Sequence, residues 1–188
     1  MTYLNDNIES LDLPEALRRV SPQRVTHALR YRHERDQRLS LAAYLLLMEG
    51  LEKEYGIKEP PEFLFGPHGK PSLKNHPHIH FNLSHCPRAA LCVISHRPVG
   101  CDVECVPEAL DMDLCRHCFN NQELASIFSS PSPTIAFTTL WTKKEALLKL
   151  TGQGLASGFS ILNSQSLIFN SHIAPDHSYV YTQAFATS

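Results

Sequence analysis

The sequence predicts an α+β fold, and three stretches carry that prediction. Residues 21–56, SPQRVTHALRYRHERDQRLSLAAYLLLMEGLEKEYG, read as helix, with Leu41, Tyr44, Leu45 and Met48 at three- and four-residue steps forming an apolar stripe. Residues 89–106, AALCVISHRPVGCDVECV, are apolar and β-branched; they read as a hairpin with strands at 89–95 and 99–106 about a turn at His96-Arg97-Pro98. Residues 135–150, IAFTTLWTKKEALLKL, are strong helix formers, and the strand-like runs FSILNSQSLIFN and SYVYTQAFA follow them. Helix followed by strands thus occurs in each half without an obvious sequence repeat. The expectation is two similar small lobes, 1–98 and 99–188, each a small antiparallel sheet packed with helix.

Local signals mark the ends of these elements. Ser21-Pro22 supplies a hydroxyl N-cap and a proline at the first helical position, and Gly50 or Gly56 ends that helix. FLFGPHGKPSLKNHPHIHFNLSHC is punctuated by Gly66-Pro67, Gly69 and Pro71. Its histidines at 76, 78, 80 and 85 suggest a metal site, but their alternation beside Pro77 reads better as a loop leading into a strand. Asn120 stands three residues before Glu123, a capping-box start, and SSPSPT at 129–134 is a loop. Gly152 and Gly154 stop the last helix.

Composition narrows the function classes. The 188 residues are 43% hydrophobic and 19% charged, an ordinary globular balance that suits one ample core or two small ones. No apolar run approaches the ~18 residues of a membrane span, and the first twenty residues lack a basic segment followed by an apolar core. A cytoplasmic protein is expected. The net charge of −2 hides a cationic segment: Arg18, Arg19, Arg24, Arg30, Arg32, Arg35 and Arg38, with His27 and His33, against Glu34 and Asp36. Such a segment attracts phosphates or an acidic partner, or is simply a solvated helix face. Nucleic acid is disfavoured because the rest of the chain is not basic. Six cysteines in such a chain read as free thiols. Cys101-x3-Cys105 followed by Cys115-x2-Cys118 supports an alternative, a zinc-stabilised interaction module, although the first spacing departs from CxxC.

Asp102 and Glu104 stand at i and i+2 of a strand and project from one face. Side by side and near a core, they need a cation. On the last helix Trp141, Glu145 and Lys149 share a face at successive i, i+4 steps, with Lys144 beside them. Taken alone, Glu145 and Lys149 are a surface ion pair. Taken with the acidic strand, Asp102, Glu104 and Glu145 are three hard oxygen ligands of the kind Mg²⁺ uses to bridge a protein to phosphates. Arg24, Arg38, Lys70, Lys144 and Lys149 suit the phosphates themselves. The pattern describes metal-assisted chemistry on a phosphate diester or anhydride.

SPQR…R at 21–38, GKP at 69–71, FNLSH at 81–85, VGCDVE at 99–104 and WTKKEALLK at 141–149 follow one another in a familiar order. In them the chain resembles the 4′-phosphopantetheinyl transferases, of the long two-lobed type that activates peptide synthetases and acyl carrier proteins. The resemblance implies two pseudo-symmetric lobes with the active site, and coenzyme A, in the cleft between them. It also implies a reaction: phosphopantetheine passes to a serine hydroxyl of an apo-carrier protein, and 3′,5′-ADP leaves. Asp102, Glu104 and Glu145 match the magnesium ligands, Glu145 also the general base, and Lys149 the group that stabilises charge on the transferring phosphate. Lys144, Arg38, Lys70, Ser84 and His85 match contacts to the phosphates of coenzyme A, and Arg24 and His27 fall where lysines are usual. No G-x-S-x-G elbow surrounds Ser84-His85, so a hydrolase pair is the weaker reading. Every charged position of the motifs is filled, which argues against a decayed relative. The 34 residues after Gly154 are few for this family and predict a compact second lobe. A monomer acting on an acyl or peptidyl carrier protein is expected, with no nucleic acid or membrane partner.

Overall fold

The computed structural model describes residues 1–152 and 167–187. In the first half the chain runs through β1 (Thr2–Asn5), a 3-10 turn at Ile8–Ser10, α1 (Leu13–Arg19), α2 (Pro22–Ala28), α3 (Glu34–Tyr55), β2 (Phe63–Phe65), β3 (Pro71–Leu73), β4 (His80–Cys86) and β5 (Ala89–Ser95). The second half holds β6 (Val99–Cys105), α4 (Met112–Cys118), α5 (Asn121–Ser129), α6 (Pro133–Thr151), β7 (Leu167–Ile173) and β8 (Tyr179–Ala186). No helix among the described residues is long and apolar enough to cross a membrane.

Two three-stranded antiparallel sheets, ordered β1-β5-β4 and β6-β8-β7, accompany a small β2-β3 hairpin. The two sheets share one topology. In each, a first strand is followed by a long helix and then by two strands joined as a hairpin, and the last strand lies in the middle. A duplication invisible in the residues is therefore explicit in the strand order. Helix α3 covers the first sheet, burying Leu39, Leu46, Leu47 and Leu51 against Phe81, Cys92 and Ile94. Helix α6 covers the second, with Ala146, Leu147 and Leu150 against Ala184. A third apolar cluster joins the halves: Leu91 and Val93 of β5 pack with Val99, Cys101 and Val103 of β6 and with Tyr179 of β8.

The caps behave as their chemistry requires. Ser21 accepts from the Arg24 N–H, Asn120 and Glu123 form both bonds of a capping box, and Gly56 and Gly152 end α3 and α6 at φ 69°. Two readings change. The predicted helix over 21–56 is two helices: Leu29 closes α2 on the carbonyls of Val25 and His27, and His33, extended, opens α3. Residues 89–106 contain both predicted strands but no hairpin, because β5 pairs with β1 and β4 whereas β6 pairs with β8. A local run of β-formers sets a strand but not its partner. Strand β1 and helices α1 and α4 carried too little periodicity to be anticipated. Of the run read as strand over 159–170, residues 159–166 lie outside the described residues, and 167–170 belong to β7.

Candidate active site

The site begins with a missing side chain. A Cβ on Gly100 would stand 1.9 Å from the Ala146 carbonyl oxygen and 2.4 Å from the Leu150 backbone nitrogen. Only glycine lets α6 lie this close to β6. The close approach brings Lys149, one turn beyond Glu145, over Asp102, two residues beyond Gly100.

Lys149 Nζ donates to Asp102 Oδ1 at 2.6 Å and to Ser84 Oγ at 2.9 Å. Ser84 Oγ in turn donates to Asp102 Oδ1 at 2.8 Å and accepts from the Val103 N–H at 3.4 Å. Asp102 is 2% exposed, and its second oxygen, Oδ2, is buried without a hydrogen-bond partner among the described residues. Burial alone would lower the Lys149 ammonium, but the Asp102 carboxylate outweighs it and the net shift is upward. The carboxylate beside them is pushed the other way from ionisation: desolvation, then Asp102, raise Glu104 to about 7, opposed by Lys149 and by a hydrogen bond from Trp141. Desolvation and Asp102 also raise Glu145. Three carboxylates thus repel one another across β6 and α6 with one lysine among them.

Ser84 reaches Asp102 because two sheet edges meet. Strands β4 and β6 lie at the edges of their respective sheets. The Cys101 N–H donates to Asn82 Oδ1 at 2.7 Å, its thiol to the Asn82 carbonyl at 3.3 Å, and two residues on Val103 meets Ser84. The strands therefore run parallel, in step, joined largely by the side chains of Asn82 and Ser84. A cavity of about 290 Å³ opens beside this seam, lined by Lys70, Asn82 and Leu83 from one half and Glu145, Lys149 and Gly152 from the other.

The predicted phosphate contacts divide into two groups. His85 is exposed, and desolvation followed by the charges of Lys149 and Arg24 holds its imidazole below the usual range. Lys70 lines the cavity but donates to the Leu150 and Val99 carbonyls at 2.8 and 3.2 Å, and burial lowers its ammonium. Arg24 donates to the Ser40 carbonyl and, at 2.7 Å, to its hydroxyl, lies 5.0 Å over the Tyr44 ring, and keeps a buried Nε without a hydrogen-bond partner among the described residues. Burial lowers its guanidinium. Arg38 and Lys144 are not brought to the cavity. Arg38 pairs with Glu34 at 2.5 Å and donates to the Leu11 carbonyl. Lys144, 2% exposed, donates to the Cys118 carbonyl at 2.7 Å and to Glu123 at 2.8 Å, 4.4 Å over the Phe119 ring. His27 is exposed, with desolvation and Arg24 lowering its imidazole.

Two metal expectations part ways. Among the described residues no three imidazole, thiol or carboxylate groups close around a common point. The zinc reading fails on this and on its own chemistry. Cys101 and Cys105 belong to the cluster between the sheets, Cys115 and Cys118 to another around Phe119 and Phe137. The two pairs are thus held in separate apolar clusters, and burial pushes Cys101 up to about 12 and raises Cys115 and Cys118. Asp102, Glu104 and Glu145 do not close around one point either. Their chemistry still fits a divalent cation such as Mg²⁺, since all three are hard oxygen donors and Asp102 Oδ2 is buried without a hydrogen-bond partner among the described residues.

Two polar groups of the site escaped the sequence reading. Asn82 had a usable signal, since with Ser84 it is polar at i, i+2 and alternates with the apolar Phe81 and Leu83. The hydroxyl chain Thr142–Thr182–Ser171, with both contacts at 2.8 Å, fixes α6 to β8 behind Asp102 and had none.

A family model for the 4′-phosphopantetheinyl transferase superfamily matches residues 98–185. The chain is 25% identical to the 4′-phosphopantetheinyl transferase Sfp of Bacillus subtilis, over 88% of this chain and 76% of that protein. It is 30% identical to the transferase HetI of a Nostoc species, over 83% and 73%, and 32% identical to AcpT of Salmonella typhimurium, over 74% and 67%. The segment matched by the family model contains Gly100, Asp102, Glu104, Glu145 and Lys149, the residues gathered where β6 meets α6, and on these likenesses the chain belongs to the 4′-phosphopantetheinyl transferase superfamily.

Proposed function

We propose that this protein transfers the 4′-phosphopantetheine arm of coenzyme A to a serine hydroxyl of an acyl or peptidyl carrier protein, with Mg²⁺ as cofactor and 3′,5′-ADP as leaving group. The observation that carries the reading is Lys149, which lines a cavity together with Glu145 and is joined behind it to Asp102 and Ser84, in a chain of this family. Asp102, Glu104 and Glu145 would hold the metal, which would supply charge neutralisation at the diphosphate.

The chain's own groups supply the rest. The Glu145 carboxylate takes the proton of the carrier serine as its oxygen bonds to the phosphorus bearing the pantetheine, and the bond from that phosphorus to the bridging oxygen breaks. Glu145 lines the cavity one helical turn before Lys149, so a proton acceptor and a cationic donor stand on the same face of α6. Lys149 has three N–H bonds, of which two go to Ser84 and Asp102. The third is available to the phosphoryl oxygens, where charge builds during transfer. Arg24, Lys70 and His85 sit on the first-half side and would face the coenzyme's phosphates. Fatty-acid and peptide-synthetase carriers are both proposed substrates.

The test incubates the protein with coenzyme A, Mg²⁺ and apo-carriers of both types and weighs the carrier. A gain of about 340 Da, set by the formula of the arm, is expected. No gain on any carrier would refute the reading. Glu145→Gln should lose turnover by at least ~10²-fold; wild-type turnover would remove Glu145 as the base.

A further inference from the structure

We propose that Cys86 and Cys105 form a redox-active pair, which a peroxide joins in a disulfide that ties the first half of the molecule to the second at the end of the β4–β6 seam. The proposal goes beyond the transfer reaction and does not depend on it.

The register of the seam puts the two thiols together. Asn82 meets the Cys101 N–H, and two residues further along both strands Ser84 meets the Val103 N–H. One more step of two brings Cys86, the last residue of β4, opposite Cys105, the last residue of β6. Both pack in the apolar cluster between the sheets, with Leu91 and Val103, and their thiols lie within hydrogen-bonding reach of one another. Neither is in a disulfide in this structure. Neighbouring strands lie about 4.8 Å apart, inside the Cα separation of about 4.4–6.8 Å that a disulfide accepts. The other cysteines lack one requirement or another. Cys92 and Cys101 are both 0% exposed, out of reach of an oxidant. Cys115 and Cys118 share α4 and a separate cluster, so a bond between them would tie nothing across the seam.

Unequal exposure gives the two sulfurs an order of reaction. Cys105 is half-buried and open to a small oxidant, whereas Cys86 is 2% exposed. The Cys105 sulfur, as thiolate, attacks a peroxide oxygen. An S–O bond forms, the O–O bond breaks, and the departing hydroxide takes the thiol's proton as water. The Cys86 sulfur then attacks that of Cys105. An S–S bond forms, the S–O bond breaks, and the second hydroxide leaves as water with the Cys86 proton. Two thiols lose two electrons, and the peroxide receives them. Burial pushes the Cys86 thiol up to about 12, which withholds it from the first step; in the second its target lies beside it. The bond would hold together the strand ends that carry His85 and Glu104, one from each half.

The test exposes the full chain, reduced and freed of reductant, to hydrogen peroxide. Thiols that remain are alkylated in denaturant with N-ethylmaleimide, and the protein is weighed and digested. Two of the six cysteines should escape alkylation, and one linked fragment should join residue 86 to residue 105. Dithiothreitol should restore both thiols. The oxidised protein should unfold at a urea midpoint about 1 M above that of the reduced protein, because closing the loop 86–105 restricts the unfolded chain. Cys105→Ser, at the half-buried position, should leave every remaining cysteine open to alkylation after peroxide and show no rise in midpoint. Cys86→Ala should stop the reaction at the Cys105 sulfenic acid, labelled by dimedone; where that buried variant does not fold, Cys105→Ser carries the test alone. All six cysteines alkylated after peroxide would overturn the proposal. So would a link that maps to any other pair or joins two chains, or an unchanged urea midpoint in the linked protein.

Discussion

Lys144 and Lys149 stand five residues apart on α6, and their surroundings give them opposite work. Lys149 is 30% exposed at the side chain and lines the cavity. Lys144 is sealed between α5 and α6, where it ties Glu123, itself half of the α5 capping box, to the end of α4 through the Cys118 carbonyl. Removing one member of a buried pair leaves the other desolvated and unpaired, a loss of roughly 3–5 kcal/mol where both are fully buried. Glu123 keeps 15% exposure, so Lys144→Met should cost somewhat less, about 2–4 kcal/mol, read as a lower urea midpoint. Its kcat/KM per folded molecule should stay within about 3-fold of wild type, since no transition-state contact is lost. Lys149→Met should lose about 10²–10³-fold in kcat, the scale of one charge-stabilising donor. A 10-fold rise in the coenzyme A KM of Lys144→Met would return that lysine to phosphate binding. From sequence the two lysines looked alike. The i, i+4 spacing that puts Glu145 and Lys149 on one face is local and legible, but Lys144 is defined by Glu123 and Cys118, partners more than twenty residues away.

Between elements, Gly100 is the residue on which the site's geometry turns. Its absent Cβ would meet backbone of α6, which cannot rotate out of the way. Gly50 makes a useful contrast: there a Cβ would meet Ile94 Cδ1 at 2.4 Å and the Tyr3 ring at 2.7 Å, the far ends of side chains. Gly100→Ala should therefore push α6 off β6, costing about 2–3 kcal/mol as overpacking does. It should also cost about 10²-fold or more in kcat as Glu145 and Lys149 lose their places. Gly50→Ala should shift stability by less than about 1 kcal/mol, with activity kept, as a helix-interior Gly→Ala gain offsets the local crowding. Equal behaviour of the two variants would show that α6 has room to spare. The same scale explains what the residues did and did not disclose. The apolar stripe of α3, the cap at Asn120, the stop at Gly152 and the shared face of Asp102 and Glu104 are period or turn chemistry within a few residues. That β6 leaves its neighbour β5 for β8, and meets β4 largely through Asn82 and Ser84, depends on contacts 18 to 86 residues apart. No local pattern encodes those.

For the whole molecule, the question is whether the repeated strand–helix–hairpin units behave as two bodies or one. Each has its own helix-on-sheet core, around Leu47 and Ile94 in the first and around Leu147 and Ala184 in the second. Between them lies the cluster that draws Leu91 and Val93 from one half and Val99, Val103 and Tyr179 from the other, all at 4% exposure or less. Polar ties cross the same boundary: Ser84 to Asp102, Lys70 to Val99 and Leu150, Tyr179 to Asp6, and Gln183 to Thr2. Opening this junction alone would expose five apolar side chains, each of order 1.5–3 kcal/mol, a sum comparable to the whole stability of a small domain. The halves should therefore unfold together. The chain's single tryptophan, Trp141, lies on α6 and reports the second half by fluorescence, while α3, with 22 residues, is the longest helix among the described residues and contributes strongly to the far-ultraviolet circular dichroism from the first. In a urea titration the two signals should share one midpoint, and Leu47→Ala, buried deep in the first half, should move both by the same amount, about 2–5 kcal/mol. Separated midpoints, or a Leu47→Ala shift seen by circular dichroism but not by Trp141, would mean that the junction is weaker than its burial implies and that the halves move as separate bodies about the site they share.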